Sequence, residues 1–96
     1  MNKRIKVIEF SGESCANCYS LMPVLFNIMK TYEDAELVHI EIDENSMDIV
    51  EKYEIDKVPT ILILKDDKIV GRCRGYQPEE ILEIWLEDKI EHARRN

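Results

Sequence analysis

Apolar and polar positions along the 96-residue chain divide it into seven segments of regular period. Ile5 to Phe10 alternates Ile5, Val7 and Glu9 with Lys6, Ile8 and Phe10, and its β-branched residues predict a strand covered on both faces. Glu9 is the anomaly, because an acid on the face of Ile5 and Val7 belongs either at the mouth of a sheet or in a buried site with a purpose. From Cys15 to about Tyr32, Leu21, Val24, Leu25, Ile28 and Met29 recur at helical spacing, with Pro23 inside the pattern as a kink near the second turn. Glu36 to Ile42 alternates again, with Leu37, His39 and Glu41 opposite Val38, Ile40 and Ile42, and its polarity predicts an edge strand.

Asp43-Glu44-Asn45-Ser46 supplies turn and cap chemistry for a short helix to about Tyr53, carried by Met47, Ile49 and Val50. The continuous run Val58 to Leu64 reads as a buried strand with Pro59 at its first residue, where a missing ladder donor is tolerated. Asp66-Asp67 turns it into Lys68 to Arg74, forming a hairpin. Gly75 ends that strand and Pro78 opens a final helix whose stripe is Ile81, Leu82, Trp85, Leu86 and Ile90. The order β-α-β-α-β-β-α predicts an α/β fold, a mixed four-stranded sheet with helices on both faces.

Length narrows this to one domain over residues 1–96. With 45% hydrophobic and 34% charged residues and only three Gly and three Pro, disordered, fibrous and repeat classes are unattractive. Twenty acidic against 13 basic residues give a net charge of −7, which argues against nucleic acid or an anionic membrane as partner and favours protein surfaces. No apolar core follows the basic N-terminal residues and no segment reaches the length of a membrane span, so a cytoplasmic location is expected. The odd count of three cysteines points the same way, to a reducing compartment and a disulfide that comes and goes.

The candidate chemistry lies in Cys15-Ala16-Asn17-Cys18, a Cys-x-x-Cys pair between a strand and a helix. On one helical turn both side chains share a face, so the sulfurs reach bonding distance with little backbone movement. A thiol at a helix start also meets unpaired N–H groups and the positive end of the dipole, which favour its thiolate and make Cys15 the expected nucleophile and Cys18 its resolving partner. Half a zinc site has the same spacing, but Cys73, His39 and His92 are the only other Cys or His and fall in separate segments, so no metal site is expected. Cys73 reads as a half-buried strand residue behaving as a small hydrophobe.

Taken together, the acid six residues before Cys15, the Cys15-x-x-Cys18 pair, Pro23 five residues after Cys18, Val58-Pro59-Thr60 ahead of a strand and Gly75 after the last strand resemble the thioredoxin superfamily over roughly residues 5–90. Compared with longer thioredoxins the chain resembles the compact core shared with glutaredoxins, without a first strand and helix. The resemblance implies a thioredoxin-like fold and a thiol–disulfide oxidoreductase that reduces protein disulfides, needs no bound cofactor beyond the redox-active Cys15–Cys18 disulfide, and is recycled by a thioredoxin-reductase-like donor. It implies a cis Pro59 beside the cysteines, with Val58 backbone groups and Gly75 lining the substrate site. It also gives Glu9 the role of taking the proton from Cys18 and puts His39 where a basic residue often neighbours that acid. Two departures bear on redox poise: Ser14 stands where thioredoxins carry tryptophan, and Ala16-Asn17 replaces their Gly-Pro. Lys57, two residues before Pro59, is either close enough to favour the Cys15 thiolate or solvated. A glutathione-linked glutaredoxin-like protein and a metal or iron–sulfur binding module are the alternatives.

Overall fold

Four consecutive side chains, Ile61, Leu62, Ile63 and Leu64, are between 0 and 2% exposed, because their strand is central in the sheet and covered on both faces. Removing each from water is worth about 1.5–3 kcal/mol, which makes this strand the anchor of the fold. The computed structural model describes residues 4–95. Its elements are β1 (Ile5–Ser11), α1 (Ala16–Met29), β2 (Ala35–Glu41), a single 3-10 turn (Glu44–Ser46), α2 (Met47–Lys52), β3 (Thr60–Lys65), β4 (Lys68–Arg74) and α3 (Glu79–Arg95).

The sheet order is β2-β1-β3-β4, with β1 parallel to β2 and antiparallel to β3, and β3 antiparallel to β4. The polar second strand is an edge, as its composition predicts. On one face Ile5, Val7, Ile61 and Ile63 pack with Leu21, Leu25 and Ile28 of α1 and Leu82, Leu86 and Ile90 of α3. On the other, Ile8, Phe10, Leu62 and Leu64 pack with Tyr53 and Ile55, over which lie Ile49 and Val50 of α2. The expected mixed sheet with helices on both faces is therefore the observed one. Among the described residues no helix is long and apolar enough to cross a membrane.

Element ends differ from expectation where local hydrogen bonds compete with periodicity. α1 stops at Met29 rather than Tyr32, because the N–H groups of Thr31 and Tyr32 donate to Ile28 and Met29, tightening the last turn. Pro23 lies inside α1, which continues through it to Met29. Pro59 precedes β3 instead of opening it, and Pro78 precedes α3, where its carbonyl accepts the N–H of Leu82. The pairings Phe10 with Thr60 and Thr60 with Arg74 bring the end of β1, the start of β3 and the end of β4 to one rim of the sheet. The candidate chemistry gathers at that rim.

Candidate active site

β1 delivers the chain to the cysteines through Gly12, Glu13 and Ser14, and Ser14 takes a left-handed backbone with φ 57°. Cys15 is the N-cap of α1 rather than its first helical residue: its backbone is extended, and its Sγ accepts the N–H of Cys18 at 3.2 Å. The sulfur thus takes the place of the oxygen that usually caps a helix. No acidic residue lies in the first turn of α1, so nothing there offsets the positive end of the helix beside Cys15. Cys15 and Cys18 are joined as a disulfide, their Cα atoms 5.2 Å apart. Cys15 is half-buried while Cys18 is 3% exposed, so an incoming sulfur has access to the first and not the second. Ala16 and Asn17 between them are exposed.

The loop that leads to Cys15 meets the segment before β3. The Val58–Pro59 peptide is cis, Pro59 is buried and Val58 half-buried. A Cβ on Gly12 would come 2.9 Å from Val58 Cγ2, so the loop leading to Cys15 lies directly against Val58. Gly75, at φ 92°, donates its N–H to the Pro59 carbonyl at 2.7 Å, which ties the end of β4 to this segment. A side chain at that φ is strained, so the position calls for glycine. Lys57 lies beside it, its Nζ 3.4 Å from where a Gly75 Cβ would stand. The Lys57 carbonyl accepts the Thr60 hydroxyl at 2.6 Å, and Asp56 takes a two-pronged contact from Arg74, Nε at 3.1 Å and Nη2 at 2.9 Å. Lys57, Val58 and Pro59, consecutive in the sequence, and the distant Gly75 therefore form one wall.

Glu9 is 0% exposed and faces α1, with Ile5 and Val7. The parallel register sets it opposite His39, whose Nδ1 lies 2.6 Å from Glu9 Oε1. The other carboxylate oxygen accepts the hydroxyl of Ser11, itself 4% exposed. Both oxygens are thus engaged, and among the described residues no buried side-chain N or O lacks a partner. Ser11 was not among the residues expected at the site. Strand alternation carries the signal, since Ser11 follows Glu9 by two on the same face.

Cys73 lies apart from this grouping. It pairs with Ile61 in the β3–β4 register and is half-buried against the α1/α3 side of the core, where desolvation pushes its thiol above the usual cysteine range. Among the described residues no three His, Cys, Asp or Glu side chains are grouped to hold a metal ion.

A family model described as Thioredoxin matches residues 1–88. The chain belongs to the thioredoxin family. It is 32% identical to a thioredoxin of Staphylococcus aureus over 87 residues, 90% of this chain and 83% of that protein. Its fold is similar to a variant thioredoxin from Halobacterium salinarum, with TM-score 0.78 and 26% identity over 91% of this chain and 75% of the other. It is similar also to mitochondrial thioredoxin 3 of Saccharomyces cerevisiae in its oxidised form, with TM-score 0.76 and 27% identity over 90% and 80% of the two chains. Membership of the thioredoxin family makes this chain a thiol–disulfide oxidoreductase whose redox group is the protein's own Cys15–Cys18 disulfide, and such proteins act on disulfide substrates without a bound cofactor.

Proposed function

We propose that this thioredoxin-family protein reduces disulfides in other proteins in a reducing, cytoplasmic setting and is recycled by a flavin-dependent, thioredoxin-reductase-like donor. The observation that carries the reading is the asymmetry of the pair, an accessible Cys15 at a helix N-terminus above a buried Cys18. Cys15 thiolate attacks one sulfur of a substrate disulfide, and the other substrate sulfur leaves with the bonding electrons and takes a proton from water. Cys18 gives its proton to Glu9 and attacks Cys15 Sγ. The Cys15–Cys18 bond forms as the bond from Cys15 to substrate breaks, and the second substrate sulfur leaves as a thiolate. The substrate disulfide has gained two electrons and the protein's dithiol has lost two.

The wall against the Cys15 loop supplies substrate binding in this proposal. Val58 precedes β3, leaving its backbone groups to pair with an extended peptide, and the hydrogen bond from Gly75 to Pro59 fixes that edge. Lys57, Ala16 and Asn17 act on the thiolate by charge and by the peptide dipoles of the first turn. The discriminating experiment is reduction of insulin disulfides with a thioredoxin reductase and its nicotinamide donor, against glutathione alone. Turnover only with the reductase is the expected result, and turnover only with glutathione refutes the proposed donor.

A further inference from the structure

The stretch from Asp43 to Asp56 carries six carboxylates and one basic residue, Lys52, so five of the chain's seven net negative charges lie within fourteen residues. The same stretch leaves apolar surface open. Met47 is 53% exposed and Val50 half-buried, and with Ile55 they floor a groove of about 570 Å³ whose rim is Glu51, Glu54 and Asp56. Its shape is set by the backbone: Glu54 takes a left-handed φ of 53°, and Ile55 donates its N–H to the Val50 carbonyl at 2.9 Å, which folds the segment after α2 back onto that helix. Arg72 of β4 secures the turn by donating to the Tyr53 carbonyl at 2.7 Å. Asp56 is engaged by Arg74, whereas among the described residues no ion pair engages Glu51 or Glu54.

Place and charge together point to the occupant. Asp56 stands two residues before Val58, so the groove continues the edge that pairs with substrate, at most about 7 Å away along the chain. An apolar floor ringed by carboxylates favours an apolar side chain flanked by cations and repels an acidic segment. Met47 suits a floor that meets many sequences, because its unbranched thioether adapts to side chains of different shape. The Lys57 ammonium lies beside Gly75 and does not line the groove. We propose that this groove selects among substrates: an apolar side chain a few residues from the substrate cysteine seats on Met47, Val50 and Ile55, and a Lys or Arg next to it pairs with Glu51 and Glu54. The proposal rests on the reading of the protein as a reductase of protein disulfides that binds them along Val58. Its effect falls on capture of the substrate, and so on kcat/KM, because the groove touches neither sulfur. Surface charge pairs are individually weak and screened by salt, so the preference is several-fold and fades as ionic strength rises.

The test uses four synthetic peptides, each with one cysteine held as a mixed disulfide with a chromogenic aromatic thiol. They differ only in the residues two to four positions either side of that cysteine: leucine with lysines, leucine with glutamates, serine with lysines, and serine with glutamates. Reduced protein is mixed with each, colour release is followed by stopped flow, and every second-order rate is divided by that of dithiothreitol with the same peptide to remove intrinsic reactivity. In the wild type the leucine–lysine peptide should react about tenfold faster than the leucine–glutamate peptide at low ionic strength, and about twofold faster in about 0.5 M salt. Glu51→Gln combined with Glu54→Gln should remove the preference for lysine, and Glu51→Lys combined with Glu54→Lys should reverse it. Met47→Ala should reduce the advantage of leucine over serine about threefold. Equal rates for lysine and glutamate peptides in the wild type, a lysine preference that survives in the double glutamine variant, or an undiminished leucine advantage in Met47→Ala overturns the proposal while leaving disulfide reduction in place. Failure of the wild type to reduce any of the four peptides or insulin removes the reading of disulfide reduction and this proposal with it.

Discussion

Gly12→Ala tests the contact on which the two-walled site depends. The backbone of Gly12 lies outside the left-handed region, so alanine is conformationally acceptable and the effect of the change is steric. Its methyl would stand 2.9 Å from Val58 Cγ2, about 0.5 Å inside the 3.4 Å at which ordinary contact begins. Valine has little rotamer freedom with which to yield, so the Val58–Pro59 segment must move away from the Cys15 loop. Overpacking of this kind costs about 1–2 kcal/mol, a five- to thirtyfold change in the folded-to-unfolded ratio. For a domain of this size each kcal/mol lowers Tm by about 4–8 °C. Displacing the substrate edge also lowers kcat/KM for a protein disulfide by about tenfold, more than the stability change accounts for. Val58→Ala removes Cγ2 and makes room, so the double variant should recover most of both losses, a coupling only neighbours can show. Wild-type Tm and activity in Gly12→Ala, or strictly additive effects in the double variant, would refute the argument that these segments abut.

Three further outcomes follow from the same geometry. Cys18→Ser should hold a substrate as a mixed disulfide at Cys15, seen as an added mass that dithiothreitol removes, whereas Cys15→Ser should capture nothing, because the buried Cys18 is out of reach. Gly75→Ala forces a side chain onto a φ of 92° and should lower stability by about 1–3 kcal/mol, read from denaturant midpoints, with activity falling as the hydrogen bond to Pro59 shifts. Burial raises the Cys73 thiol and so lowers its thiolate fraction near neutral pH. In reduced protein, iodoacetamide should therefore label Cys73 more slowly than Cys15, with the difference narrowing as pH rises.

Much of the architecture is legible as periodicity. The unbroken run through Ile61–Leu64 reads as a buried strand because covering both faces removes the need for alternation, and the polar positions of Glu36, His39 and Glu41 read as an edge. Boundaries are less legible, since Pro59, Pro78 and the turn after Met29 depend on which carbonyl a particular N–H finds. Cys15 reads as the first residue of a helix and is instead its cap, a difference of one backbone conformation that no side-chain period encodes. The oddity of Glu9 is visible in the sequence, and its companion His39 is inferable from the resemblance, but the two meet only because the β1–β2 register sets them side by side. Ser11 carries no signal in the sequence because a serine at a strand end is ordinary; its contact matters only because the carboxylate two residues earlier is fully buried. Gly12 and Val58 are 46 positions apart, and their contact is a product of the β1–β3 pairing.

The most direct test of the central claim is a redox titration of the Cys15–Cys18 pair, counting free thiols by alkylation and mass across a series of dithiol–disulfide buffers. A single reversible two-electron transition is expected, with a tenfold change in the oxidised-to-reduced ratio for about every 30 mV and Cys73 remaining a free thiol throughout. Cysteines that never form the bond, that oxidise and cannot be reduced again, or that titrate as separate one-sulfur sites would contradict it.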